Sequence, residues 1–269
     1  GLIYEVGLSI AKDCREAGIH WNFAPVVDIN TNPDNPVIGY RAFGNRPDGV
    51  LRKARQFLQG LADGGVLSCL KHFPGHGDTA LDSHLDLPVL EKSLEALKTR
   101  ELMPFRELIL EGAPAVMTGH LAVPRLDPSG LPASLPKTAI DLLRKSMKFE
   151  GVVVTDALNM HALHRTDRNP THINLKAYNA GNDLLCFAEN IPESLDAILS
   201  KTEDQRLEAS FRRIWKLKER VYKPKKPPRQ PLWSWQELNR KLAPYCLTEI
   251  TDPGNSLESF HRESFSILY

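Results

Sequence analysis

Five short apolar runs recur along the chain, and they constrain its fold more than any other feature. They span residues 19–29, 65–73, 114–120, 151–156 and 182–187. Apolar runs without polar alternation are typical of strands that are buried on both faces, as in a parallel sheet. Longer amphipathic segments, which are typical of helices, lie near residues 2–17, 48–63, 91–111 and 137–147. The pattern predicts an alternation of strands and helices.

Polar side chains follow four of these runs at the point where each predicted strand ends. They are Asp28, Lys71, His72, His120 and Asp156. A (β/α)8 barrel and a doubly wound sheet both collect their functional residues at the carboxyl ends of the strands. Because no GxGxxG motif opens any predicted helix, the barrel is favoured over a dinucleotide-binding sheet.

The fold class that we predict is α/β, of the (β/α)8 TIM-barrel type, but incomplete. A complete barrel takes about 250 residues, whereas five strands are recognisable before residue 221. We therefore expect the early strands to precede Gly1. The basic, proline-rich stretch KPKKPPRQP at 223–231 cannot continue a helix and is typical of an extended linker. The predicted division is a barrel domain at 1–221, followed at 222–269 by this linker and the start of a second domain.

Charge balance and cysteine spacing argue against several classes of partner. With 34 basic and 33 acidic residues the net charge is +1, so no overall field favours nucleic acid or an anionic membrane. A small or neutral ligand fits better. The four cysteines lie far apart without a CxxC pair, which argues against a disulfide framework or a thiolate metal site. No apolar run approaches the roughly 18 residues of a membrane span, and the sequence leaves the cellular location open.

The stretch KHFPGHGDTALDSHLDLPVL, residues 71–90, is rich in side chains that exchange protons or bind metals. After the predicted strand end, the proline and glycine of FPGHG turn the chain into a loop over the same end of the fold. Asp82 and His84 are two residues apart in this loop and can approach each other. A carboxylate bonded to one imidazole nitrogen fixes the tautomer and leaves the other nitrogen to exchange a proton. These two residues are therefore candidates for general acid and base catalysis.

The same stretch also suits a metal site, because imidazole and carboxylate groups bind zinc and related ions. His72 and His76 have the spacing of a metal-binding pair, but Pro74 and Gly75 between them preclude the helical geometry of an HExxH zinc site. No second cluster of similar density occurs in the sequence. We therefore expect neither a metal nor another cofactor, and a metal-dependent hydrolase stays an alternative.

Asp156 directly follows the buried run GVVVT and precedes a predicted helix start, so its carboxylate should face the pocket at the strand ends. Capping that helix is the alternative role. A carboxylate opposite a proton donor is the arrangement for retaining cleavage of a glycosidic bond, in which an ester with the sugar forms and is then hydrolysed. With Asp82 and His84 available as the donor, Asp156 is a candidate nucleophile.

Three segments together resemble the signature motifs of family 3 glycoside hydrolases, in the β-N-acetylglucosaminidase branch. They are NFAPVVDINTNPDNPVIGYRAFG, KHFPGHGDTALDSHLDLP and GVVVTDALNM, and they occur in the family's order. The resemblance covers about residues 1–221. It implies that Asp156 is the nucleophile and that His84 with Asp82 forms a histidine–aspartate acid/base dyad.

The resemblance also implies how a sugar is held. Arg41, Lys71 and His72 match the residues that bind sugar hydroxyls. His120 and Met160 are expected to line the pocket or to pack beside it. The implied reaction is retaining hydrolysis of terminal β-linked N-acetylglucosamine, in a small saccharide derived from peptidoglycan or chitin, without a cofactor.

Two features leave alternatives to this reaction open. The family carries a further sugar-binding aspartate in a DQEGG-like segment, which has no match in this chain. A non-catalytic carbohydrate-binding barrel is therefore an alternative. A neutral histidine, unlike a carboxylate, does not repel an incoming anion, so phosphate can compete with water for the glycosyl-enzyme. Phosphorolysis is the alternative outcome of the same chemistry.

Overall fold

A computed structural model describes residues 1–79, 87–164, 166–222 and 227–246 of the protein. At its centre is a parallel sheet whose three strands lie in chain order: β1 (Leu70–Phe73), β2 (Ala115–Thr118) and β3 (Val152–Thr155). Every residue of β2 and β3 is buried, as expected for strands that are covered on both faces. The predicted α/β architecture with a parallel sheet is confirmed.

Isolated parallel bridges extend this sheet on both sides. Trp21 pairs with Leu67 just before β1, and Val26 pairs with Lys71 in β1. Beside β3, Leu184 pairs with Val154. The first stretch contains Pro25, which has no N–H group to donate to a ladder. The first and last apolar runs lie where strands were predicted, in the predicted order, but they pair through isolated bridges rather than continuous ladders.

Helices connect the strands and cover the sheet. They are α1 (Leu2–Glu16), α2 (Pro47–Asp63), α3 (Leu94–Ala96), α4 (Met103–Leu110), α5 (Lys137–Asp141), α6 (His161–His164), α7 (Pro170–Ala180), α8 (Ile191–Lys201), α9 (Asp204–Tyr222) and α10 (Trp235–Cys246). A 3₁₀ turn spans Gly39–Arg41, and π-helical turns follow α3 at Leu97–Glu101 and α5 at Leu142–Ser146. The predicted helix at 91–111 is thus divided, with Pro104 in the first turn of α4, where a missing N–H is tolerated.

Helices α1 and α2 approach each other closely at two glycines. A Cβ on Gly60 would lie 2.2 Å from the carbonyl oxygen of Tyr4, and a Cβ on Gly7 would lie 2.5 Å from that of Phe57. The Tyr4 hydroxyl also donates to Asp63 Oδ2 at 2.8 Å. Because any side chain at either glycine would meet backbone atoms, the backbones of the two helices are in direct contact.

The chain after α9 returns to the first helices. Trp235 Nε1 donates to Asp13 Oδ2 at 2.8 Å, and Leu238 of α10 is fully buried. The described part of 222–269 therefore packs against α1, and the division into two domains stays a prediction. No helix in the described ranges is long and apolar enough to cross a membrane.

Gly60→Ala is expected to lower the urea midpoint of unfolding, because the added methyl group forces apart two touching helices; overpacking typically costs about 1–3 kcal/mol. Gly49→Ala is the matched control in the same helix, since an added Cβ there meets no atom within 4 Å. Alanine at that position is expected to stabilise by up to about 1 kcal/mol. Urea unfolding followed by circular dichroism measures both variants, and equal midpoints would contradict the close contact.

Candidate active site

The carboxyl ends of the strands bring the predicted polar residues to one edge of the sheet. Lys71 and His72 lie in β1, Asp156 directly follows β3, and His120 follows β2 by two residues. Asp28 ends the stretch that is bridged to β1. Because the strands are parallel, their carboxyl ends lie at the same side of the fold, as the sequence pattern predicts.

A buried carboxylate, Asp28, organises the turn after β1. Its Oδ2 lies 2.7 Å from Nδ1 of His72, and Asp28 accepts the backbone N–H groups of His72 at 3.1 Å and His76 at 2.7 Å. Burial alone would raise the pKa of Asp28, but the charge and hydrogen bond of His72, together with His76, outweigh burial and lower that pKa. The ionised carboxylate therefore receives the Nδ1–H of His72 and leaves Nε2 facing the site.

Asp156 lies on the other side of this imidazole. Its Oδ2 is 4.0 Å from His72 Nε2, its side chain is 26% exposed, and its Oδ1 accepts the N–H of Ala157 at 2.8 Å. Burial would raise the pKa of Asp156, but nearby positive charge, His72 first, and the Ala157 N–H lower it overall. The next helix begins only at His161, so the alternative role as a helix cap is wrong. What remains is an ionised, accessible carboxylate.

Arg41 and Lys71 add positive charge and hydrogen-bond donors beside this carboxylate. Arg41 ends the 3₁₀ turn, and its Nη2 lies 3.5 Å from Nε2 of His72. Lys71 is half-buried, and burial together with Arg41 lowers its pKa against the opposing attraction of Asp156. A guanidinium fork, an ammonium and an imidazole around one carboxylate suit a ligand with several hydroxyl groups.

His120 is buried beneath Asp156 and has protein partners at both ring nitrogens. Nε2 lies 3.0 Å from the carbonyl oxygen of Ala157, and Nδ1 lies 2.7 Å from Ser134 Oγ. Since a carbonyl only accepts, Nε2 carries the proton and Nδ1 accepts from the serine hydroxyl. Burial lowers the pKa of His120, which favours this neutral form. The ring thus supports the residue after Asp156. Met160 is 6% exposed. Contact of His120 or Met160 with a sugar stays a prediction.

The predicted acid/base residues, Asp82 and His84, lie in the segment 80–86, outside the described residues. The chain before and after this segment is linked by an ion pair, because Lys92 Nζ lies 2.9 Å from Asp78 Oδ2. Asp78 also accepts a hydrogen bond from the Thr31 hydroxyl. The two ends of the segment that carries the predicted dyad are therefore held together at the same edge of the fold.

Sequence reasoning missed the roles of Asp28 and His76. His76 is 1% exposed; its Nδ1 lies 2.7 Å from Thr79 Oγ1, and its Nε2 has no hydrogen-bond partner among the described residues. The available signal was an aspartate directly after the apolar run FAPVV, since a charged residue that is buried there needs partners.

In the described part of the chain, no three His, Cys, Asp or Glu side chains meet closely enough to hold a metal ion.

A parallel α/β sheet with an ionised carboxylate among cationic donors at its strand ends defines an enzyme-like site for a polar ligand. Comparison with known proteins gives the family. The profile of the glycosyl hydrolase family 3 N terminal domain matches residues 1–217. The chain belongs to this family, as its three sequence motifs indicate.

Individual relatives carry related names. Beta-hexosaminidase A of Pseudoalteromonas piscicida is 35% identical over 243 residues, which cover 81% of this chain and 40% of that protein. A glycoside hydrolase family 3 beta-N-acetylglucosaminidase from Paenibacillus sp. str. FPU-7 has a solved structure that is similar with a TM-score of 0.82 and 36% identity, over 90% of this chain and 49% of that chain. The structure of a beta-glucoside phosphorylase, BglX, is similar with a TM-score of 0.78 and 26% identity. The match covers 89% of this chain and 45% of that chain. The chain thus spans about half the length of these relatives.

The free energy of unfolding is expected to fall as the pH drops from about 7.5 to about 5.5. Burial is the main cause that lowers the pKa of both His76 and His120, so the folded state takes up fewer protons than an unfolded chain whose histidines titrate near about 6.5. Each such histidine contributes a slope of up to about 1.4 kcal/mol per pH unit.

His120→Gln should therefore make stability less steeply dependent on pH in this range. His172→Gln is the matched control, because it removes a histidine whose side chain is 59% exposed rather than buried. Urea unfolding at a series of pH values measures all three slopes. An identical slope for His120→Gln and the parent protein would show that His120 titrates normally in the folded state.

Proposed function

We propose that the protein containing this chain is a retaining glycosidase that removes terminal β-linked N-acetylglucosamine from small saccharides. The observation that carries the proposal is the Asp156 carboxylate, ionised at the strand ends, 4.0 Å from His72 Nε2 and beside Lys71. The relatives named beta-hexosaminidase and beta-N-acetylglucosaminidase support this class of substrate. Peptidoglycan and chitin fragments are the proposed sources, and the chemistry requires neither a metal nor an organic cofactor.

In the first step, a carboxylate oxygen of Asp156 attacks the anomeric carbon while the bond from that carbon to the leaving oxygen breaks. An ester between Asp156 and the sugar forms, and protonated His84 gives its proton to the leaving oxygen. Asp82 orients His84 and stabilises its charged form. The positive charge of His72 first, and then the Ala157 N–H that Asp156 accepts, keep the nucleophile ionised, so no base is needed to activate it.

In the second step, the now neutral His84 accepts a proton from a water molecule, and the resulting hydroxide attacks the same anomeric carbon. The ester bond breaks, Asp156 leaves as a carboxylate, and the sugar is released with its original configuration. One imidazole therefore serves as acid and then as base, which suits a group whose unperturbed pKa lies near neutrality.

Arg41, Lys71 and His72 are proposed to hold the sugar hydroxyls over Asp156. Asp28 supports this role because it fixes one nitrogen of His72 at 2.7 Å and so sets the direction of the other. His120 holds the Ala157 carbonyl and is proposed, with Met160, to form the wall behind the nucleophile. A site that fixes the sugar ring before the reaction lowers the activation barrier, because the entropy cost of orienting the ring is met when the sugar binds.

We also propose that this sheet is part of a (β/α)8 barrel at 1–221, with 222–269 as a linker and the start of a second domain. The support is the order of five parallel elements in the chain, which are the stretch around Val26, the strands β1, β2 and β3, and the stretch around Leu184. Adjacent elements in a barrel follow chain order and are parallel throughout, with a helix after each.

Phosphorolysis is a second candidate, favoured by the similarity to a beta-glucoside phosphorylase. In that case phosphate rather than water attacks the glycosyl-enzyme, and the ester oxygen of Asp156 again leaves. Product analysis of the full-length protein distinguishes the two reactions. Sugar 1-phosphate that appears only with added phosphate would establish phosphorolysis, whereas free sugar at an unchanged rate would establish hydrolysis.

Asp156→Ala is expected to lower the rate of aryl β-N-acetylglucosaminide cleavage by the full-length protein on the order of 10³-fold or more, because no ester can form. Asp196→Asn, which changes an exposed carboxylate on α8, is the control and should retain activity. Activity should also persist in EDTA. Activity that survives Asp156→Ala but disappears in EDTA would replace this mechanism with a metal-dependent one. Saccharide binding without turnover by the parent protein would establish the non-catalytic alternative.

His84→Ala is expected to slow the cleavage of different substrates to different extents, depending on the leaving group. For an alkyl or disaccharide leaving group, which needs a proton, the loss should be about 10²- to 10⁴-fold. For a 2,4-dinitrophenyl leaving group, which departs as a stable anion, formation of the glycosyl-enzyme should change far less. The burst of dinitrophenol and the steady-state rates measure both. An equal loss in the rate of glycosyl-enzyme formation for all leaving groups would exclude His84 as the acid.

A further inference from the structure

The opposite end of the sheet, where the strands begin, carries a cationic cavity that the proposed glycosidase reaction does not use. The cavity has a volume of about 230 Å³ and lies between α9 and the loops that lead into β2 and β3. Four of its lining residues are cationic, namely Lys148, Arg213, Lys216 and Arg220, and one, Glu150, is acidic. Because Asp156 follows the far end of β3, this cavity is separate from the candidate active site.

The helical spacing of α9 places three of these cations on one face. Arg213, Lys216 and Arg220 are three and four residues apart, the intervals at which side chains become neighbours on a helix. Like charges at such spacing repel each other and destabilise a helix. The side chains of Lys148, Lys216 and Arg220 form no hydrogen bond or ion pair with any residue in the described ranges. Their charge is therefore not neutralised within that part of the protein.

Arg213 is held rigidly at the inner wall of the cavity. Its Nε and Nη2 donate to the two carboxylate oxygens of Asp183 at 3.0 and 2.8 Å. The same buried carboxylate also binds Arg144 Nη2 at 2.8 Å and Arg206 Nη1 at 3.3 Å. Three guanidinium groups thus share one negative charge, which leaves an excess of positive charge inside the wall.

The lowered pKa of Arg144 is consistent with this excess of positive charge. Burial lowers the pKa of Arg144 to about 10, and the charges of Arg213 and Arg206 add to the decrease against the attraction of Asp183. A nearby anion would offset such repulsion, since an opposite charge favours the protonated form of a base. The net charge of the whole chain is only +1, so the accumulation of cations at this end is local.

We propose that this cavity binds a phosphoryl group, either as inorganic phosphate or as the terminal group of a small phosphomonoester. A planar guanidinium fork binds phosphate oxygens in pairs, and an ammonium group adds a point charge. Asp183 holds Arg213 through its Nε and Nη2 atoms, which leaves the Nη1 group as a donor, while Lys216, Arg220 and Lys148 add positive charge from the rim. Phe149 and Leu217 give the cavity an apolar floor, which suits the organic part of an ester.

Phosphate binding is measured by isothermal calorimetry on the full chain, at constant ionic strength with chloride as the replaced anion. The double variant Lys216→Met/Arg220→Met should weaken the binding of inorganic phosphate about tenfold or more. Lys218→Met is the matched control, because this exposed lysine of the same helix does not line the cavity, and its affinity should equal that of the parent protein. Glycerol 3-phosphate in a parallel titration shows whether an ester binds more tightly than the free ion.

A second set of titrations tests whether this cavity binds phosphate independently of the proposed sugar pocket. Saturating N-acetylglucosamine should leave phosphate binding unchanged, and Asp156→Asn should retain it, whether or not the protein proves to be a glycosidase. The proposal is overturned if the parent protein binds neither phosphate nor glycerol 3-phosphate, or if the double variant binds them as tightly as the parent. Unfolding curves of the double variant confirm that the two exposed substitutions leave the fold intact.

Discussion

A single buried carboxylate, Asp28, connects the first edge of the sheet to the candidate site. It accepts the backbone N–H of His72 in β1, the backbone N–H of His76 in the following turn, and the ring N–H of His72. Because the carboxylate is fully enclosed, each of these donors replaces a water molecule that a free carboxylate would bind. Removing one partner from a buried charged pair typically costs about 3–5 kcal/mol. The turn, the ring orientation of His72 and the distance from that ring to Asp156 therefore depend on one another.

The two ends of β3 present contrasting arrangements of charge. At its carboxyl end, Asp156 is partly exposed and makes one backbone hydrogen bond, so it keeps lone pairs that can react. At its amino end, Asp183 is fully buried and saturated by Arg144, Arg206 and Arg213. The second carboxylate has no free capacity and therefore serves to hold the wall. The difference in exposure and in the number of donors, rather than the residue type, is why Asp156 and not Asp183 is the proposed nucleophile.

The strand ends could be predicted from the sequence because they depend on local order. An apolar run followed by Asp156 or by Lys71 and His72 places those side chains at one edge whatever the packing details are, and the structure confirms their placement. The pairing of Asp28 with His72 and His76 could not be predicted, because 44 residues separate Asp28 from His72 and only the folded sheet brings them together. The isolated bridges at the sheet edges and the glycine contact of α1 with α2 likewise result from tertiary packing.

The proposed division of labour between strand and loop follows from what each step of a double displacement requires. The nucleophile must return to the same position after the ester breaks, and Asp156 meets this need because its backbone N–H donates to Thr118 in the neighbouring strand at 2.9 Å. The proton carrier must instead face a leaving group first and a water molecule afterwards. The proposed carrier, His84, lies in the sequence between Asp78 and Lys92, whose side chains form an ion pair at 2.9 Å. In the proposed mechanism the nucleophile and the proton carrier therefore belong to different parts of the chain, so the leaving group would vary while the attack on the anomeric carbon keeps one geometry.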